Sequence, residues 1–411
     1  MRKILFFGAY DINARIPLVH ALRNHGIDVE LAGVGATPSN RATPSNGDVV
    51  TMAVGSGSVR HDLAKLPRLI RELRRERGAE LVHTWDSLPG VLSMRAAAHD
   101  PGIPYTRTIT GTGQSFSTGG AIGFALRRSY GTAQKLTSGH GAFTMFQNTD
   151  DHRLFVDSGW IPASQAMVIP GSGVELETFD AVKSTDRGAE MRQRFDVGDR
   201  FLVVLASRLL KAKGVTEFCE AARMCDGQMG RQTVFLIVGP HEPNARRAAV
   251  VEPFRGTEVE LIYGGNCPDM PGLLSASDLM VLPTAYREGI PRVLLEAAAA
   301  EVPIIASDMP GCRDVVTDGV TGLRIPPRAA RPMADAIIRL AHDPVLAKEL
   351  ARAARERIEH SMTLDIIAAQ YADVFHRLLS DSPQPATLSV IQSASLSASS
   401  SVSSSVEESR S

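Results

Sequence analysis

Two glutamates, Glu288 and Glu296, stand in the stretch YREGIPRVLLEAAAAEVPIIASDMPGCRD that runs over 286–314. Between them lie Gly289, Ile290, Pro291, Arg292 and Val293. Gly289 lets the backbone approach a ligand closely, and Pro291 suits the first position of a helix. The amides of 289–293 would then be the unpaired donors of a helix start, able to hold a phosphate or a sugar hydroxyl. Glu288, in the loop, could accept hydrogen bonds from sugar hydroxyls. Glu296 falls inside the helix among Leu294, Leu295 and Ala297 to Ala300. A carboxylate buried there needs partners; the two hydroxyls of a ribose would suit it, and an exposed helical position is the plainer alternative.

A second cluster is SRLLKAKG at 207–214, where Arg208, Lys213 and Gly214 precede a helical pattern. A guanidinium and an ammonium beside a helix start suit a diphosphate, the first bidentate and the second a point charge. Two solvated cations are the alternative. His83 and Asp86 in VHTWDS follow a strand pattern and so would face a ligand cleft, or else be satisfied by structural bonds. No His-Glu-x-x-His, Cys/His cluster or Asp-x-Asp occurs, so no catalytic metal and no cofactor is expected. The glycine-rich GTGQSFSTGG (111–120) fits neither a dinucleotide fingerprint nor a P-loop.

The elements that must position these residues alternate. Strand patterns at 3–9, 28–34, 48–54, 79–85, 104–110 and 142–148 are separated by helical ones such as 16–26. A second series of strands lies at 200–207, 232–239, 258–265, 278–284, 302–308 and 322–326, with helices around 215–225, 271–276 and 291–301. Such alternation predicts an α/β fold with parallel sheets, in two domains joined near 176–199. In parallel sheets ligands bind beyond the carboxyl ends of strands, and both clusters sit just after strands. The repeat ATPSNRATPSN (36–46) reads as a surface loop. A helix over about 363–379 closes the folded part, and the serine-rich remainder, 381–411, reads as disordered.

The 411 residues are 44% apolar and 22% charged with a net charge of −1, ordinary for a globular protein with a large core and unlike a nucleic-acid binder. Cys219, Cys225, Cys267 and Cys312 form no Cys-x-x-Cys pair, which fits a reducing, cytoplasmic setting. No apolar run is long enough to span a bilayer, and MRKILFFGAYD reads as a first strand rather than a leader.

REGIPRVLLEAAAAEVPIIASDMPGCRDVVTDGVTGLRIPP resembles the donor-site signature of family 4 retaining glycosyltransferases, whose Glu-x7-Glu hallmark is matched by Glu288 and Glu296. ASRLLKAKG resembles their diphosphate-binding segment and VIPGSGVELETF (168–179) the stretch leading into their interdomain linker. LVHTWDSLPG and MFQNTDDHRLFVDSG extend the similarity over roughly 1–380, with RTITGTG and GCRDVV most like capsule and lipid-linked oligosaccharide transferases. The resemblance implies the GT-B architecture: two Rossmann-like α/β domains facing across a cleft, with a C-terminal helix returning to the first. The implied domains are 1–178 with 362–380 for the acceptor, 179–361 for the nucleotide-sugar donor, and the 381–411 tail.

It further implies transfer of a hexose or N-acetylhexosamine from a UDP-sugar to a polyprenyl-diphosphate-linked saccharide, with retained configuration. Arg208 and Lys213 would neutralise the leaving diphosphate, 289–293 and Glu288 would hold phosphate and sugar, Glu296 the ribose, and Gly264 and Gly265 the base. Many relatives carry a histidine where this chain has Thr110, which cannot serve as an acid or base, so a front-face mechanism with the leaving phosphate oxygen as proton acceptor fits better. Acceptor contacts would come from Gly8 and Asp11 in GAYDINA, which lacks the paired glycines common there, and from His83, Asp86 and Thr110. A small soluble acceptor and a non-catalytic nucleotide-sugar sensor are the competing readings; the intact Glu288, Glu296, Arg208 and Lys213 argue against the sensor.

A lipid-linked acceptor would bring the first domain to the anionic inner leaflet as a peripheral protein. Two segments could make that contact: the basic stretch 60–78, whose Leu63, Leu66, Leu69, Ile70 and Leu73 could equally pack on the domain's own sheet, and 119–136, with Ile122, Phe124, Leu126 and Tyr130 beside Arg127, Arg128 and Lys135.

Overall fold

The computed structural model describes residues 1–8, 12–34, 51–54, 59–85, 96, 100, 102–113, 116, 120–137, 143–240 and 251–380. The 36–46 repeat, Asp11, Asp86 and the 381–411 segment lie outside the described residues.

The first half is built on seven parallel strands: β1 (Arg2–Gly8), β2 (Ile27–Val34), β3 (Thr51–Val54), β4 (Leu81–Trp85), β5 (Tyr105–Ile109), β6 (Phe143–Phe146) and β7 (Ala166–Val168). Their order across the sheet is β3-β2-β1-β4-β5-β6-β7. Both faces are covered, which is why β1 is continuously apolar rather than alternating. Ile4 and Phe6 pack with Leu18, Val29, Tyr371 and Phe375, whereas Leu5 and Phe7 pack with Leu66, Ile70 and Val82. The first face is closed by the helix Leu364–Leu379, so the C-terminal helix does return to the first half. The second is closed by the helix Val59–Arg77, whose apolar stripe at Leu66, Ile70 and Leu73 is buried on its own sheet.

The second half repeats the plan with β8 (Phe201–Ala206), β9 (Thr233–Val238), β10 (Phe254–Arg255), β11 (Val259–Tyr263), β12 (Leu279–Leu282), β13 (Ile304–Ser307) and β14 (Leu323–Ile325). The order is β10-β11-β9-β8-β12-β13-β14, and only β10 runs antiparallel to its neighbour. Every strand expected from the sequence forms, and β7 and the two-residue β10 are additions.

The chain crosses between the halves twice, and the crossings lie side by side. The Val174 amide donates to the Met362 carbonyl at 3.1 Å, and the Leu364 amide donates back to the Val174 carbonyl at 3.0 Å. Gly173 sits at φ +76°, and a Cβ there would stand 2.5 Å from the Leu364 Cα, so only glycine fits. In both sheets the strand order reverses at the middle, between β1 and β4 and between β8 and β12. Loops leaving these strands diverge and open a crevice.

Candidate active site

Both second-half clusters are delivered to that crevice. The segment after β8 carries Arg208 and Lys213, and the segment after β12 carries Glu288 and Gly289 to Val293. All of these, with Glu296, line one cleft of about 780 Å³, a volume typical of a small-molecule site. The opposite wall comes from the first half through Arg15, Thr110, Gln147, Ser172 and Glu175.

Gly214 joins the two second-half loops. It lies at φ +76°, and a Cβ there would meet the Pro283 carbonyl at 2.1 Å. The Ala285 amide donates to the Ala212 carbonyl at 2.8 Å, which sets the loops edge to edge. Lys213 Nζ therefore lies 2.6 Å from Glu288 Oε1, with both side chains largely removed from solvent. Lys213 also stands 5.5 Å from the Tyr286 ring centre. The ammonium is thus desolvated and oriented within the cleft.

The helix Arg292–Ala299 starts at the cleft with Pro291 ahead of it and no side chain capping its amides. The Leu294 amide turns back to the Pro291 carbonyl at 3.0 Å, so a ligand oxygen at this helix start would be met by the amides ahead of it. Glu296, in the next turn, is 7% exposed. Burial raises its pKa above the usual carboxylate range, opposed by Arg292, whose Nε donates to Glu296 Oε1 at 2.8 Å. Glu296 is therefore buried rather than an exposed helical residue, and its protein partner is Arg292.

Several assignments move. His83 does not follow β4 but lies within it, fully buried, and faces no cleft. Its ring is hydrogen-bonded to the Thr106 hydroxyl at 2.8 Å and the Thr108 hydroxyl at 3.2 Å, and it packs 4.7 Å from Phe6. Burial lowers its pKa to about 3, so it stays neutral at physiological pH and serves the core. Gly8 and His83 do not line the main cleft; they border a separate recess of about 10 Å³, shared with Arg15 and Trp85. Gly264 and Gly265 are not on the cleft wall; the residues after them, Asn266, Cys267 and Pro268, are, together with Gly239 and Pro240. The Gly239 amide donates to the Gly265 carbonyl at 2.8 Å, and a Cβ on Gly264 would strike the Phe195 ring at 2.6 Å, so the pair fixes the wall from behind. Thr110 does line the cleft.

Sequence reasoning gave no role to Arg15, Gln147 or Ser172. Arg15 stacks 4.4 Å over Trp85 and donates to the Ser172 hydroxyl at 2.8 Å. Gln147 and Asn148 directly follow β6, in the segment MFQN, and that position was the available signal.

Residues 17–171 match the family described as glycosyl transferase 4-like domain, and residues 186–357 match glycosyl transferases group 1. The two matched ranges are separated by 172–185, and both contribute residues to the cleft. The chain is a glycosyltransferase, with a glycosyl transferase 4-like first half and a group 1 second half. This glycosyltransferase is 31% identical to alpha-D-kanosaminyltransferase of Streptomyces kanamyceticus over 49% of its length and 52% of the relative's. It is 26% identical to the N,N'-diacetylbacillosaminyl-diphospho-undecaprenol alpha-1,3-N-acetylgalactosaminyltransferase of Campylobacter jejuni, over 67% of its length and 72% of the relative's. The similarity thus spans about half of the first relative and under three quarters of the second. The crystal structure of Anabaena HepE in complex with UDP and glucose superposes with a TM-score of 0.72 at 16% identity, covering 92% of this chain and all of that one. The architecture of the glycosyltransferase is accordingly GT-B. No helix among the described residues is long and apolar enough to cross a membrane.

Proposed function

We propose that the cleft transfers a hexose or N-acetylhexosamine from a UDP-sugar to a saccharide on a polyprenyl diphosphate, with retention of anomeric configuration. The observation that carries the reading is the desolvated Lys213–Glu288 pair at the switch point of the second sheet, 2.6 Å apart, beside an uncapped helix start. Lys213 and Arg208 take the diphosphate, and each charge-assisted bond contributes about 1.5–3 kcal/mol. Glu288 orients the sugar through its hydroxyls, and Glu296 receives the ribose. The Campylobacter relative, by its name an enzyme of a diphospho-undecaprenol substrate, supports the acceptor class. HepE, solved with UDP and glucose, supports the donor class.

The bond from the anomeric carbon to the phosphate oxygen breaks, and the acceptor hydroxyl oxygen bonds to that carbon from the same face. The hydroxyl proton passes to the departing phosphate oxygen. Thr110, where relatives place a histidine, supplies neither acid nor base, so charge stabilisation on the diphosphate is the main catalytic contribution. Arg208 and Lys213 provide the positive charge that a divalent ion would otherwise bring.

Incubation with a panel of UDP-sugars and a short-chain polyprenyl-diphosphate saccharide, in excess EDTA, tests this. Transfer from at least one donor is expected. Transfer only to a free sugar phosphate would replace the acceptor, loss of activity restored by manganese would replace the cation role, and no turnover of any nucleotide sugar would end the reading.

A further inference from the structure

We infer that Asp151 and Arg287 are positioning residues, which lock the Glu288 loop to the opposite half of the cleft. The inference rests on the reading of Glu288 as a donor-site residue. Asp151 belongs to the first half, in the helix Thr149–Asp157, and Arg287 to the second, immediately before Glu288. Arg287 Nη2 donates to Asp151 Oδ1 at 2.9 Å, and its Nε donates to the Thr112 hydroxyl at 2.9 Å. Thr112 in turn donates to Asp151 at 3.2 Å. Asn148 caps the same helix by accepting from the Asp151 amide at 2.7 Å, and its Nδ2 donates both to Asp151 Oδ2 at 3.0 Å and to the Glu288 carbonyl at 2.9 Å. The Gly113 amide donates to the Arg287 carbonyl at 3.1 Å. The network therefore holds Glu288 by its own backbone from the half that does not carry it.

Glycines make the approach possible. A Cβ on Gly111 would stand 2.6 Å from the Gly289 amide nitrogen, and one on Gly289 would stand 2.7 Å from the Thr110 carbonyl oxygen. Asp151 and Asn148 are both fully buried. A buried carboxylate that loses its cation is strongly penalised, so the halves cannot shift at this point without cost. Glu288 meets Lys213 through its side chain and the first half through its carbonyl. Relative movement of the halves would change the aim of its carboxylate at the reacting sugar.

The test compares wild type with Arg287→Met, and with the doubly neutral Asp151→Asn/Arg287→Gln in case the unpaired Asp151 impairs folding. With the UDP-sugar that wild type turns over, kcat should fall about 10²-fold in both variants, the loss expected from misplacing a reactive group by about 1 Å. UDP affinity by calorimetry should stay within about threefold, because the network touches the loop backbone and not the diphosphate cations. A purely structural role would instead let the double variant, which leaves no charge unpaired, recover kcat together with melting temperature; that result overturns the inference, as does a loss of UDP affinity equal to the loss of kcat. If wild type neither binds UDP nor turns over any donor, the donor reading fails by itself. Small-angle scattering then decides the clamp: a larger radius of gyration in Arg287→Met upholds it, and an unchanged radius overturns it.

Discussion

Glu288 and Glu296 are both carboxylates in one cleft, yet they are held differently, and the difference sets what each substitution should do. Glu288 is paired with Lys213 at 2.6 Å and faces the space where the donor sugar would lie. Replacing it by alanine, or replacing Arg208 by alanine, should lower turnover by about 10²-fold or more, as for lost transition-state electrostatics, with an unchanged circular dichroism spectrum. Wild-type rates in either variant would remove that residue from the site. Glu296 is instead penalised by burial, which raises its folded pKa above the unfolded value. The folded protein therefore disfavours the ionised form. That cost is complete above the raised value and vanishes below the ordinary glutamate value of about 4.3. Glu296→Gln should raise the melting temperature at neutral pH, with the gain closing as the pH falls through the carboxylate range, while the donor KM rises. A lower melting temperature at pH 7 would show that Arg292 more than offsets the burial. Both glutamates were legible in the sequence because they follow a strand-like run and bracket a Gly-Ile-Pro turn. His83 was misread because it was taken to follow a strand that the 79–85 pattern already contained; inside the strand its ring packs into the core instead of facing the cleft.

The loops after β8 and β12 owe their placement to strand order, and their mutual register to Gly214. Alanine at 214 would have to adopt φ +76° with its Cβ 2.1 Å from the Pro283 carbonyl. Strain of this kind costs on the order of 1–3 kcal/mol. Gly214→Ala should thus lower thermal stability and weaken UDP binding together, because Lys213 precedes the strained residue; UDP affinity equal to wild type would show that the loop carries no register information. The alternating strands and helices were readable from apolar runs bounded by turn residues. The two-residue β10 was not, since so short a pairing leaves no period to detect. The cleft wall was placed at Gly264 and Gly265 when it begins at Asn266, because β11 stops at Tyr263 and the glycines serve close packing rather than ligand approach. The Asp151–Arg287 pairing spans 136 residues, and nothing local in the sequence announces it.

At the scale of the molecule, two halves with separate cores meet at one cleft, and the first half offers one unusual surface. The helix Gly120–Thr137 contains no acidic residue and exposes Phe124, Leu126 and Leu136 beside Arg128 and Lys135. The other basic candidate, Val59–Arg77, buries its stripe and pairs Arg74 with Asp100 at 2.8 Å. Each cation near an anionic leaflet contributes on the order of 1 kcal/mol, so this one helix would give reversible, salt-sensitive attachment. Flotation should recover the protein with anionic but not neutral liposomes at low salt, and Phe124→Ser with Leu136→Ser should reduce recovery; indifference to anionic liposomes would favour a soluble acceptor. The central claim is that the cleft moves a sugar from a nucleotide with its configuration kept. The most direct measurement is a proton NMR time course of the anomeric signal during transfer from an α-linked UDP-sugar. An α-linked first product is the predicted result, and a β-linked first product would contradict the account.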